Sequence, residues 1–181
     1  NKTTIDGLVK LFGSQMNVTG DVVVGYNGID VEESLDPNAA VGSTLKVNEN
    51  SKLTTIGVGV HGKGSSFIAD GSVEAQYLDV HSNASVILNG GGKITGYKYD
   101  YGNTVAATVT GNSTLEATDV HFTGDFHAED GSKITLKGGS VTASDYYDKD
   151  GKKDGYTEFG AIGANSSVEA DGVDIKSATL A

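Results

Sequence analysis

Cysteine, tryptophan and arginine are absent from these 181 residues, and proline and methionine occur once each. Without cysteine there is no disulfide framework, no thiolate metal site and no thiol nucleophile. Positive charge is also scarce: 13 basic residues, all lysine, face 24 acidic ones, for a net charge of −11. That balance opposes binding to nucleic acid or to an anionic membrane, because phosphate recognition draws on clustered cations. No apolar run approaches the ~18 residues of a membrane span, and the first residues lack a basic-then-apolar signal segment. The expectation is a soluble chain that does not insert into a membrane directly, with any export signal removed or never included. Long apolar stripes of period 3.6 are missing too, which excludes a helical repeat.

What is present is repetition. Val73-Glu74-Ala75, Leu115-Glu116-Ala117 and Val168-Glu169-Ala170 each follow a polar turn and each precede a second apolar alternation, Leu78-x-Val80, Val120-x-Phe122 or Val173-x-Ile175. A shorter, related phrase lies between them, as Ser85-Val86-Ile87-Leu88 with Gly92-Lys93-Ile94, and as Ser132-Lys133-Ile134-Thr135-Leu136 with Gly139-Ser140-Val141. A repeated unit too small to bury its own apolar face must stack on its neighbours. The anchors Leu53 and Val73 are 20 residues apart, and Leu115 and Ile134 are 19 apart. Within each unit apolar and polar residues alternate, a strand pattern with one face buried. The runs are broken by Gly, Asn, Asp and Ser, residues suited to tight turns.

These features predict an all-β fold, a right-handed parallel β-helix (β-solenoid) of about 20 residues per coil and seven or eight coils. A leucine-rich repeat has a similar period, but its leucine-asparagine signature is absent. Residues 42–181 carry the coils as a single domain, and residues 1–41 read as irregular first coils or a cap. Five Asn-x-Ser/Thr sequons, at Asn1, Asn17, Asn83, Asn112 and Asn165, mostly coincide with the turn chemistry of the repeat.

The segment FGAIGANSSVEADGVDIKS, with its fainter copies AATVTGNSTLEATDVHFTG and FIADGSVEAQYLDVHS, resembles the coil repeats in the passenger domains of Gram-negative autotransporters, the pertactin-like and AIDA-like surface proteins. The resemblance covers roughly residues 42 to 181. It implies a fragment of a larger secreted passenger on the bacterial cell surface, promoting attachment to a host protein or glycan, self-association with another copy, or biofilm formation. The family's translocating β-barrel is not in this chain, and neither is a serine-protease module with its Gly-x-Ser-x-Gly.

Interruptions of the period are where a rigid scaffold displays function. Two occur, at residues 97–104 and 144–158, at the same place in the repeat. They hold Tyr97, Tyr99 and Tyr101, and Tyr146, Tyr147 and Tyr156, six of the eight tyrosines. Tyrosine offers a flat apolar face and a hydroxyl at low entropy cost, which suits stacking on sugars and protein contacts. These six are the candidate ligand-binding residues, set against the plainer possibility that the rings only pack on the outer wall.

Asp145, Asp148, Asp150, Asp154 and Glu158 make the second insertion rich in oxygen ligands of the kind Ca²⁺ prefers. The spacing fails the EF-hand pattern: with Gly151 at the sharp turn, Tyr146 and Thr157 fall where carboxylates are needed. Lys149, Lys152 and Lys153 offset the charge, so a solvated loop is favoured. His61 and His81 lie 20 residues apart, so they can stack on adjacent coils. Two histidines without a third ligand make a weak site, and His121 and His127 show no ligand spacing. No metal and no cofactor are therefore expected.

Parallel β-helices also host polysaccharide lyases and glycosidases, the rival to an adhesin. Glycoside hydrolysis needs two carboxylates converging on one groove. Here outward acids such as Glu74, Glu116 and Glu169 recur with the repeat, which marks scaffold, and no arginine is present to serve as a strong lyase base. The sequence points to an adhesin-type surface without catalytic residues.

Overall fold

In the computed structural model the described residues are 2–25, 28–36, 41–98, 104–147, 150, 153–156, 158–176 and 179–180. Every regular element among them is a β-strand. The strands form three parallel sheets: a first sheet of eight, starting with Lys2–Ile5, a second of nine, starting with Val9–Phe12, and a third of seven, starting with Gln15–Val18. In the second sheet, Tyr97–Lys98 lies off the stacked path. The chain visits first, second and third sheets in turn and then returns to the first one strand further along, as in Ser72–Ala75, Tyr77–His81 and Ser85–Leu88. This is a parallel β-helix.

The register confirms the period. Leu53 stands beside Val73, and Leu115 beside Ile134, so the spacings of 20 and 19 residues are each one full coil. Residues before 42 join the same sheets: Lys2–Ile5 pairs with Asp21–Val24, Val9–Phe12 with Ile29–Glu32, and Gln15–Val18 with Thr44–Val47.

The equivalence of the three Glu-Ala tripeptides is corrected by the structure. Val73-Glu74-Ala75 runs through the first sheet, whereas Leu115-Glu116-Ala117 and Val168-Glu169-Ala170 run through the third. The true equivalents of the latter two are the shorter phrases, since Val86, Leu115, Ile134 and Val168 succeed one another in a single column. All three faces need the same short alternation of inward apolar and outward polar residues. One tripeptide therefore fits more than one face.

Inward residues fill a continuous core. Leu45, Leu53, Phe67, Val86, Leu115, Phe126 and Ile134 have no solvent exposure. Phe126 packs between Phe122 and Phe159, with ring centroids 4.6 and 5.7 Å away. Each fully buried side chain of this size contributes roughly 1.5–3 kcal/mol. Val168 is only partly buried and Ala170 is exposed, because their strand has a neighbour on one side alone.

Turns follow the chemistry of the corners. Asn83, Asn112 and Asn165 adopt φ of 65°, 59° and 64° at the corner between the second and third sheets, so these sequon asparagines do serve as turn residues. The same corner holds a column of serines. Ser43, Ser65, Ser113 and Ser132 are buried, and their hydroxyls accept hydrogen bonds from the backbone N–H of Ser14, Ser43, Ala84 and Ser113 in the coils before them, at 3.0–3.3 Å. Buried donors that would otherwise carry a desolvation cost are thereby satisfied. Gly92 marks a close approach of backbones: at its φ of 145°, a Cβ would lie 2.1 Å from the Val73 carbonyl oxygen.

Leu115 tests the assigned register. Leu115→Asp places an unpaired charge where its side chain has no solvent exposure, and should cost about 3 kcal/mol or more. Thermal melting should show a drop of many degrees; a melting temperature within a few degrees of wild type would refute the inward placement.

Candidate functional site

The corner between the first and second sheets is spanned by one residue in three coils, Ile56, Gln76 and Gly124. It opens wide after Gly92–Ile94 and again after Ser140–Thr142. Those two strands are separated in the first sheet only by Val120–Thr123, so the insertions leave from the same corner two coils apart. At a strand spacing of about 4.8 Å, their bases stand about 10 Å from one another. Both depart from the parallel rule. Tyr97 and Lys98 pair antiparallel with Val105 and Thr104, and Asp145 and Tyr147 pair antiparallel with Tyr156 and Lys153.

Of the six candidate tyrosines, Tyr97 is placed in full. Tyr99 and Tyr101 lie outside the described residues, as does Asp148, and for Tyr146, Tyr147 and Tyr156 the backbone alone is described. Tyr97 is 37% exposed and meets Tyr77 in a T-shaped pair, with ring centroids 5.9 Å apart and planes at 79°. Tyr77 in turn lies flat over Gly57 of the preceding coil, where a Cβ would come within 2.3 Å of its ring. The first insertion is thus joined to the outer wall of the second sheet by an aromatic pair.

Further along those strands, the outward positions change from aromatic to ionisable. On Tyr77–His81 the outward residues are Tyr77, Asp79 and His81; on the preceding strand, Gly57–His61, the corresponding ones are Gly57, Gly59 and His61. One coil earlier, Asp30 and Glu32 continue the same columns. The His61 and His81 rings stack at 3.8 Å between centroids, 19° from parallel. His61 can lie down against the wall only because residue 59 is glycine: a Cβ there would be 2.8 Å from Nε2 of His61 and 3.3 Å from Oδ1 of Asp30.

The third donor missing from the sequence pattern is Asp79. One ligand atom from each of His61, Asp79 and His81 lies within 4.8 Å of the others. Nε2 of His61 is 3.7 Å from Oδ2 of Asp79, an ion-pair separation too long for a hydrogen bond, and that nitrogen is buried with no hydrogen-bond partner. Nδ1 of His81 is 2.9 Å from the Ser82 hydroxyl, which leaves the other ring nitrogen to face elsewhere. Glu32, Glu33, His61, Gly62, His81 and Ser82 line an open hollow of about 240 Å³ beside the stack. Asp79 beside it, then Asp30 and Glu32, hold the His61 pKa above its ordinary 6.5, against the opposing effect of partial burial. Lys10 shares the two acids on the far side, 3.4 Å from Asp30 and 3.8 Å from Glu32.

The other histidines stand apart from this group. His121 shares a 2.9 Å hydrogen bond with Ser140 of the next coil, and His127 pairs with Glu129 at 3.1 Å. Comparison with protein-family models, with curated proteins and with solved structures returned no match.

The environment of His61 is directly measurable. In metal-free protein its imidazole should titrate above 6.5 by proton NMR, and Asp79→Asn should bring the midpoint down. Because the folded pKa is raised, this contact stabilises the fold below the unfolded pKa, and its contribution is lost as pH rises through the folded one. A His61 midpoint at or below 6.5 in wild type, or one unmoved in Asp79→Asn, would contradict the arrangement.

Proposed function

We propose that this chain is a binding scaffold of the adhesin type, a secreted or surface-displayed β-helix without enzymatic activity. It would attach to a host protein or glycan, or to another copy of itself in self-association and biofilm formation. The observation that carries this reading is the common origin of the two insertions: both tyrosine-bearing segments leave one corner, two coils apart. A single extended glycan or peptide is long enough to touch both. Exposed Tyr97 beside Tyr77 adds an aromatic pair at the foot of the first insertion.

The recurrent outward acids support a scaffold role over catalysis. Glu74 is held by Lys52 and Glu169 by Lys133 of the neighbouring coils, both at 2.8 Å. Half-exposed pairs like these contribute about 1 kcal/mol or less each. They tie coil to coil and engage these two repeat carboxylates with lysine. The resemblance of the repeats to autotransporter passenger coils points the same way, toward an extracellular location on a Gram-negative surface.

The decisive comparison is between wild type and a variant in which Tyr99, Tyr101, Tyr146 and Tyr147 are all alanine. Glycan-array binding, surface attachment and cell aggregation should fall severalfold in the variant, with melting temperature within a few degrees of wild type, because loop aromatics add little to the stacked core. Full retention of attachment and aggregation would sink the reading. So would turnover of a polyuronide or neutral glycan by the wild-type chain.

A further inference from the structure

We propose that His61, Asp79 and His81 form a binding site for a divalent transition-metal ion of the zinc class, clamping two successive coils on the outer wall of the second sheet. The site goes beyond the adhesion reading and stands or falls separately from it. Two imidazoles and a carboxylate are a donor set that suits zinc, and also nickel and copper, far better than calcium or magnesium, which prefer oxygen alone.

Three independent features support it. The donors come from adjacent strands in fixed register, His61 beside His81 and Gly59 beside Asp79, so the rigid stack holds them together without loop ordering. Nε2 of His61 is buried with no hydrogen-bond partner and faces the Asp79 carboxylate across 3.7 Å, a gap in which a shared ion would satisfy both groups. Gly59 clears the space beneath that nitrogen. Among the described residues, no other group of three or more His, Asp or Glu donors converges in this way.

Charge and room are also right. Asp30, Glu32 and Glu33 lie around the group, and among the described residues Lys10 alone is in ion-pair contact with the first two, so a cation enters a region of net negative charge. The open hollow beside the rings leaves space for one or more water ligands. A tetrahedral ion at about 2.0–2.2 Å from each donor needs its ligand atoms about 3.4 Å apart, somewhat closer than they now stand. It also needs the lone pairs of the two rings to converge. Binding therefore requires the stacked imidazoles to splay by side-chain rotation, and the backbone register can stay as it is.

The test uses the whole chain, stripped of metal with a chelator and titrated with Zn²⁺ by calorimetry at neutral pH. One ion per chain should bind with micromolar or tighter affinity, in the presence of millimolar Ca²⁺. Proton NMR of the same titration should move the imidazole signals of His61 and His81 while leaving those of His121 and His127 in place. His61→Ala and His81→Ala should each weaken binding at least about tenfold, with Asp79→Asn weakening it less, and His127→Ala should leave it unchanged. Zinc should raise the melting temperature of wild type and not of His61→Ala. No binding above the millimolar range, or binding that persists in the His61→Ala/His81→Ala double variant, would overturn the proposal. So would zinc-dependent shifts confined to His121 and His127.

Discussion

Hydrogen bonding between successive coils is the constraint from which the rest of this molecule follows. A parallel strand cannot satisfy its backbone within its own coil, so every N–H and C=O must look to the coil above or below. That demand holds the repeat to 19 or 20 residues wherever the corners are short, as between Leu115 and Ile134 or Leu53 and Val73. It also fixes which residues become neighbours. Side chains one coil apart stand beside one another at a strand spacing, whatever their distance in other folds. His61 meets His81, His121 meets Ser140 and Phe126 meets Phe159 by this rule alone.

The outer wall is correspondingly a grid whose columns are set by register and whose rows are set by alternation. Small residues in one coil decide what the next coil may lay down on top of them. Gly57 accepts the Tyr77 ring of the next coil, and Gly59 leaves room for His61 of its own strand and the Asp30 carboxylate of the coil before. A wall of uniformly large side chains would hold these groups away from the backbone and from each other. Both tyrosine-bearing insertions escape the grid at one corner, where the path between two sheets can lengthen without disturbing the strands on either side.

Much of the fold was legible in the sequence because period and alternation are direct consequences of stacking. The columns through Leu53 and Val73 and through Leu115 and Ile134 followed from spacing alone. Which face each phrase occupies did not, since all three walls have the same polarity pattern; this is why Val73-Glu74-Ala75 was grouped with two tripeptides from another sheet. The proximity of His61 and His81 was visible as a 20-residue interval, and the structure adds their face-to-face contact. Asp79 was overlooked although the signal was present. It stands two residues before His81 and therefore on the same outward row, as does Tyr77 two residues earlier still. The depression at Gly59 was out of reach, because a glycine in a strand shows as a hollow only when the side chains of the flanking coils are known.

The serine column at the second-to-third corner has a direction. Each hydroxyl accepts a hydrogen from the coil that precedes it in the chain: Ser65 from Ser43, Ser113 from Ala84, Ser132 from Ser113. A coil's corner is thus finished by its successor and not by itself. Under tension, the two ends of such a stack are not mirror images. Stripping a coil from the C-terminal side leaves a bare N–H donor in the new last coil, whereas stripping one from the N-terminal side leaves only a hydroxyl, which can rotate to water. The molecule carries a built-in polarity of unravelling, written in a short hydroxyl side chain and repeated at each turn where serine is retained.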